Sequence, residues 1–206
     1  MPKVLTVILN WRTPQMTLRA AEATLVALDG IAGGLVIVDN ASGDGSFETM
    51  QAEVLARGWN SGPQAVRVLQ SGRNGGYGAG NNFGMRAGLP DGTRPDFIYI
   101  LNSDAFPEPA AIGVLLTHLQ THPGTGIAGS LIYGEDGVEH RGDGQRGVRR
   151  PGVSEQSMAK EEPHRCRVAP VVAHAAQVVA HPHVLAEVAH VALEILPALG
   201  RKPTLD

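Results

Sequence analysis

Three polar segments of the sequence carry side chains that could bind a charged ligand. In the first, Asp39 ends an apolar run and is followed by a polar loop. A carboxylate at the end of a buried strand is costly unless it is hydrogen-bonded, so we expect Asp39 to face a ligand crevice. There it would accept a hydrogen bond from a base imide N–H or a ribose hydroxyl. The alternative is that Asp39 caps the turn and helix that follow it.

The second segment, residues 71–82, has the sequence SGRNGGYGAGNN and holds five glycines in twelve residues. Glycine lets the backbone approach a ligand closely, and the first N–H groups of a helix bind anions. The alternative is a tight turn between a strand and a helix that needs no ligand.

The third segment is Asn102-Ser103-Asp104, which follows the apolar run 97–101. Carboxylate and amide oxygens at this spacing can face one hard cation, Mg²⁺ or Mn²⁺, and such a cation would bridge the two phosphates of a nucleotide. Asp104 is the predicted metal ligand. The alternative is a polar loop of common composition.

Strand-like and helical patterns alternate over the first 140 residues. The strand-like runs are 4–10, 35–38, 65–69 and 97–101, and the helices are 14–28, a second one ending near 59, 79–87 and 109–122. This alternation predicts right-handed βαβ units and an α/β fold with a mostly parallel sheet and helices on both faces. Ligands of such sheets bind beyond the carboxyl ends of the strands, where the polar segments lie.

Composition excludes several classes of protein. The chain has 206 residues, 43% hydrophobic and 18% charged, with a formal charge of −3. These values are typical of a globular domain, and no basic run indicates nucleic-acid binding. The single cysteine, Cys166, cannot form an internal disulfide, and no apolar stretch is long enough for a signal peptide or a spanning helix. We therefore expect a cytoplasmic protein, with membrane contact at most peripheral, at the inner membrane face.

The last third of the sequence differs from the rest. All nine aromatic residues precede residue 134. We therefore predict two parts, 1–140 and an atypical tail, 141–206, with a loop over 141–163 and a helical segment near 183–196. The exposed apolar face of that helix could serve a homodimer or a membrane-bound partner.

Three residues of the predicted tail helix share one face. His183, Glu187 and His190 stand at helical spacing, so a metal site there is geometrically conceivable. The alternative is a polar helix face, and no fourth ligand is evident.

The motifs LTVILNW, LVIVDNASGDGS, RNGGYGAGNN and YILNSDAFPEP occur in this order within residues 3–140. Together they resemble the inverting glycosyltransferases of family 2, in the rhamnosyltransferase-like branch of the GT-A fold. The resemblance implies a donor site for a dTDP-, UDP- or GDP-activated sugar, formed by Asn10, Trp11, Asp39, Asn74, Gly76, Asn81 and Asn102. It also implies that Asn102 and Asp104 occupy the family's metal-binding Asp-x-Asp motif, with Asn102 in place of the first Asp.

The resemblance implies in-line transfer of the sugar to a glycan or lipid-linked acceptor, as in polysaccharide biosynthesis. The family's catalytic base comes from an acidic motif with aromatic neighbours, and nothing similar follows His140. The catalytic base is therefore unknown, and the tail is interpreted as truncated, diverged or frame-altered. An alternative function is a non-catalytic protein that binds sugar nucleotides and lacks the acceptor half.

A third interpretation is a dinucleotide or methyl-donor enzyme of Rossmann type. The first strand-to-helix turn, residues 10–14, lacks the Gly-x-Gly-x-x-Gly pattern that this chemistry needs. The glycines follow the third strand instead, which disfavours this interpretation.

Overall fold

The computed structural model describes residues 1–133 and four short strands, 138–140, 146–149, 166–169 and 192–195. The helices are α1 (Pro14–Ala27), α2 (Ser46–Ala56), α3 (Tyr77–Ala87) and α4 (Ala111–Thr121). The strands are β1 (Val4–Asn10), β2 (Gly33–Asp39), β3 (Val66–Gln70), β4 (Phe97–Asn102), β5 (Ala105–Pro107), β6 (Ile127–Gly129), β7 (Leu131–Tyr133), β8 (Val138–His140), β9 (Arg146–Arg149), β10 (Cys166–Ala169) and β11 (Ala192–Ile195).

The larger sheet has the strand order β3-β2-β1-β4-β11-β6. The first four strands are parallel, and β11 runs antiparallel to both of its neighbours. Asn10 pairs with Asp39, and Leu9 pairs with Asn102, so the polar carboxyl ends of β1, β2 and β4 lie level at one edge. The predicted α/β fold with a mostly parallel sheet is confirmed.

Helices cover both faces of this sheet, because alternate residues of its buried strands point to opposite sides. On one side Ile8 and Ile37 pack in a core with residues of α1, α2 and α4. On the other side Val7 and Val38 form a second core, against which Tyr77 and Met85 of α3 pack. Within the part of the chain that the structure describes, no helix is long and apolar enough to cross a bilayer.

Two glycines bring α3 unusually close to the sheet. A Cβ atom on Gly84 would lie 2.6 Å from Cγ1 of Val7 and 2.9 Å from Cγ2 of Val38. A Cβ atom on Gly80 would overlap the side chain of Leu9. Part of the glycine-rich segment therefore serves helix packing, which the sequence prediction of a ligand loop did not include.

The smaller sheet has the order β5-β10-β7-β8-β9. Its strand β9 lies within the range 141–163 that was predicted as a loop, so that prediction is wrong for residues 146–149. The rest of the predicted loop lies outside the described residues.

The helix predicted near 183–196 is also wrong where the structure describes it, since residues 192–195 form β11. Leu193 and Ile195 alternate with Ala192 and Glu194, which is the two-residue period of a strand. Because β11 pairs with β4, residues on both sides of the predicted boundary at 140 share one sheet. The candidate metal ligands His183, Glu187 and His190 lie outside the described residues.

Candidate functional site

A cleft of about 460 Å³ opens at the carboxyl edge of the larger sheet. Its lining includes five residues of the predicted site: Trp11, Asn74, Gly76, Asn102 and Asp104. Leu9, Thr13, Asn40, Tyr77 and Ser103 complete the lining. A larger cavity of about 600 Å³, between α1 and Trp59, contains none of the predicted residues.

Asp39 lies beneath this cleft and is 1% exposed. Its Oδ1 accepts hydrogen bonds from Asn10 Nδ2 at 2.8 Å and from the Ser42 hydroxyl, and its Oδ2 accepts from the Ser42 backbone N–H at 3.2 Å. Asp39 is not among the cleft-lining residues, and both of its oxygens accept hydrogen bonds from within the protein. The bonds to Ser42 agree with the alternative, in which Asp39 holds the turn after β2. Its contact with a nucleotide base stays a prediction.

Asn10, also expected in the donor pocket, is fully buried and joins three elements. Besides Asp39 on β2, it contacts α1, because its Oδ1 accepts from the Thr17 hydroxyl at 2.9 Å and from the Thr13 N–H at 3.2 Å. The neighbouring Trp11 is 51% exposed and lines the cleft. Asn10 therefore shapes the edge of the sheet, and Trp11 is available to a ligand.

Hydrogen bonds join the loops after β1 and β2, and each loop contains one residue in an uncommon backbone conformation. Arg12 and Ala41 have positive φ angles of 60° and 56°, which residues other than glycine rarely adopt. The Ser42 hydroxyl accepts from the Arg12 N–H at 2.9 Å, and Arg12 Nε donates to the Ser42 carbonyl at 3.2 Å. Such strain persists only where surrounding bonds impose it, so Ser42 fixes the relative position of the two loops.

The glycine-rich segment is tied to the end of β2 through two asparagines. Asn40 Nδ2 donates to Asn74 Oδ1 at 3.0 Å, and the same oxygen accepts from the Gly76 N–H at 2.9 Å. Asn81, in contrast, is 3% exposed, and its Nδ2 donates to the Tyr77 carbonyl at 3.1 Å. It does not line the cleft, so its predicted contact with the donor finds no support in this geometry.

Tyr77 is one of the cleft-lining residues that sequence reasoning missed, although an aromatic residue among five glycines was the available signal. Its hydroxyl donates to Asn102 Oδ1 at 2.7 Å and so joins the start of α3 to the end of β4. Burial raises the pKa of Tyr77, and the charge of the nearby Asp104 adds to the rise. The hydroxyl therefore keeps its proton at neutral pH.

Asp104 is exposed and is the only acidic residue among the cleft-lining residues that the structure describes. No group of three or more His, Cys, Asp or Glu in the described ranges could hold an ion by itself. Mg²⁺ commonly binds through one or two carboxylates, substrate phosphates and water. The oxygen donors here are of the kind that a divalent cation takes when it is bound together with a diphosphate.

The parallel sheet, its flanking helices and the cleft at the carboxyl edge fit a GT-A fold. The family model described as glycosyl transferase family 2 matches residues 25–176, which is more than half of the chain. The chain belongs to this family. The match extends beyond residue 140, where the resemblance noted from the motifs ended. No curated protein sequence matches the chain.

The chain is similar to several solved structures, one of which supports the fold with a TM-score above 0.5. A mannosyltransferase from Pyrobaculum calidifontis, in complex with GDP-Man and Mn²⁺, superimposes with a TM-score of 0.51 at 16% identity, over 61% of this chain and 34% of that chain. S. aureus TarS 1–349, in complex with UDP-GlcNAc, gives a TM-score of 0.47 at 17% identity, over 61% and 34%. Glucosyl-3-phosphoglycerate synthase from Mycobacterium tuberculosis gives 0.42 at 16%, over 61% and 42%. The chain spans about a third to two fifths of their lengths.

Proposed function

We propose that this chain binds a nucleoside-diphospho-sugar in the cleft at the sheet edge and transfers the sugar, with inversion, to a glycan or lipid-linked acceptor. The observation that carries the proposal is the position of Asp104, an exposed carboxylate at the end of β4, in the cleft of a family 2 chain. The complexes of the mannosyltransferase with GDP-Man and Mn²⁺ and of TarS with UDP-GlcNAc support a donor of this class.

The cleft offers a different contact to each part of such a donor. The exposed face of Trp11 provides apolar area for a base or a ribose. Asn74 and Gly76 hold the polar wall formed by the glycine-rich segment. Asp104 would hold Mg²⁺ or Mn²⁺, which when bound supplies positive charge beside the leaving diphosphate.

The residue that deprotonates the acceptor has no candidate in the described cleft, where Asp104 is the only acid. This observation favours a second candidate function, in which the chain binds the sugar nucleotide without transferring the sugar. The two candidates share the donor site and differ only in turnover. The proposal also includes three further expectations: rhamnosyltransferase-like specificity, peripheral membrane association and a homodimer.

Calorimetric titration of UDP, GDP and dTDP, with and without Mn²⁺, tests the donor site. We expect one nucleotide to bind with Mn²⁺ and Asp104→Ala to weaken that binding by roughly tenfold or more, the usual cost of losing a bond to a charged group. Asp29→Ala, which removes an exposed carboxylate at the other cavity, is the matched control and should bind as the wild type does.

Absence of nucleotide binding by the wild type, or full binding by Asp104→Ala, would refute the proposed site. Incubation of the wild type with a sugar nucleotide that carries the nucleoside diphosphate found to bind then distinguishes the two candidate functions. Release of free sugar or its transfer to an added acceptor supports the enzyme, and an intact donor after prolonged incubation supports binding alone.

A further inference from the structure

The Tyr77 hydroxyl donates to the oxygen of the Asn102 amide, and the nitrogen of that amide has no partner among the residues that the structure describes. We propose that Tyr77 is a positioning residue that fixes the amide group of Asn102, so that its nitrogen donates a hydrogen bond to the diphosphate of the donor. This inference rests on the proposed function and assigns the roles within its diphosphate site.

The first step concerns the two ends of the amide. Asn102 is half-buried at the end of β4 and lines the cleft, and its Oδ1 accepts from the Tyr77 hydroxyl at 2.7 Å. Its Nδ2 makes no hydrogen bond to any residue that the structure describes, whereas the Nδ2 atoms of Asn10, Asn40 and Asn81 all donate within the protein. The oxygen and nitrogen diverge from one planar group, so anchoring the oxygen leaves two N–H donors for a ligand.

The second step concerns the rigidity of the anchor. Tyr77 is the first residue of α3, and its ring packs against the apolar cluster formed by Leu9 and its neighbours on the sheet. Gly80 and Gly84 hold α3 close to β1 and β2. The Tyr77 hydroxyl therefore stands at a fixed distance from the end of β4.

The third step concerns charge. An amide N–H can bind an anion and cannot coordinate a cation, so Asn102 serves the phosphates directly and Asp104 is left as the cation ligand. An aspartate at position 102 would have no N–H to donate and would repel the diphosphate. In this chain Asn102 therefore contacts the diphosphate and Asp104 holds the cation, whereas a pair of carboxylates would act on the diphosphate only through the metal.

A double-mutant cycle with Tyr77→Phe and Asn102→Ala tests this division, using whichever of UDP, GDP and dTDP the wild type binds with Mn²⁺. We expect Tyr77→Phe to raise the Kd by about 3- to 10-fold, the effect of one hydrogen bond, because the freed amide loses its orientation. In the Asn102→Ala background the same change should have almost no effect. A purely structural role of Tyr77 would lower affinity equally in both backgrounds.

Asn102→Asp supplies a second readout that does not depend on Tyr77 variants folding. We expect it to bind the nucleotide roughly tenfold more weakly than the wild type in Mn²⁺, because the donor is lost and a like charge is added. Affinity equal to or tighter than that of the wild type would show that position 102 acts as a metal ligand, and would overturn the inference.

The two failures are distinguishable. If the wild type binds none of the three nucleotides, the proposed function fails and the inference fails with it. If the wild type binds a nucleotide but the cycle shows no coupling between Tyr77 and Asn102, only the inference is overturned.

Discussion

The ends of β1, β2 and β4 carry similar polar residues at the same edge of the sheet. These residues are buried at the ends of β1 and β2 and accessible from the cleft at the end of β4. Asn10 and Asp39 are almost completely buried, and their polar atoms bond to one another and to Ser42. Asn102 is half-buried, Asp104 is exposed, and both line the cleft. At this edge an asparagine and an aspartate are therefore accessible from the cleft only where the fold has not buried them against other polar groups.

The chain that follows each strand accounts for the difference. Asn10 is followed closely by α1, and its side chain accepts from the N–H of Thr13, which precedes the helix, and from the hydroxyl of Thr17 within it. Asn102 is followed by a two-residue turn and the short strand β5, so no helix begins over the end of β4. The buried end of β1 is therefore held rigidly, whereas the end of β4 remains accessible from the cleft.

Substituting each aspartate by alanine should produce the largest contrast between the two regions. We expect Asp39→Ala to lower the free energy of unfolding by about 2–3 kcal/mol, because Asn10 Nδ2 and the Ser42 hydroxyl lose their buried acceptor. Asp104→Ala should change it by less than about 0.5 kcal/mol, as for an exposed residue. Urea unfolding at neutral pH measures both, and equal losses would show that the comparison is wrong.

Two glycines sharpen the contrast between packed and open positions. Gly84→Ala should lower the free energy of unfolding by about 1–2 kcal/mol, because its Cβ would press on Val7 and Val38. Gly113→Ala, within α4, would bring its Cβ only to 4.0 Å from Ile31 Cδ1. Gly113→Ala should raise the free energy of unfolding by about 0.5–1 kcal/mol, because alanine reduces the backbone entropy of the unfolded chain. Thermal unfolding of the pair checks the opposite signs, and a stabilising Gly84→Ala would contradict the close packing of α3.

Asp91 extends the comparison to an exposed carboxylate far from the cleft, and its substitution should give the smallest effect. Hydrogen bonds from the Thr93 hydroxyl and N–H, with Lys3 nearby, lower its pKa to about 2 from 3.8. A lowered pKa stabilises the fold above pH 3.8, and this contribution is lost as the pH falls towards 2. We expect the Tm difference between the wild type and Asp91→Ala to shrink between pH 5 and pH 2. A constant difference over that range would indicate that the charge of Asp91 contributes nothing.

The sequence predicted the central sheet well because its strands carry long apolar runs. β1 has the predicted bounds, Val4–Asn10, since this run is continuous and rich in β-branched residues. β2 begins at Gly33, earlier than the predicted Leu35, because glycines carry no hydrophobic pattern. A Cβ on Gly34 would lie 2.7 Å from Pro90 Cδ, a contact between distant parts of the chain that no local pattern reveals.

The sequence predicts where the candidate site lies, but only partly which of its side chains face the cleft. The end of each strand gave the correct edge for Asn10, Asp39, Asn102 and Asp104. Whether a side chain turns inward depends on partners far along the chain, such as Thr17 for one asparagine and Tyr77 for another. Such pairings arise from the assembled fold, so one-dimensional spacing cannot distinguish a buried support from a ligand contact.

The close contact between Gly80 and Leu9 links the inside of α3 to the surface of the cleft, because Leu9 also lines it. The distance between α3 and the end of β1 therefore depends on Gly80, a buried position that is not among the cleft-lining residues. A methyl group added at Gly80 would displace the Leu9 side chain, so the shape of the cleft wall can be altered without replacing any cleft-lining residue.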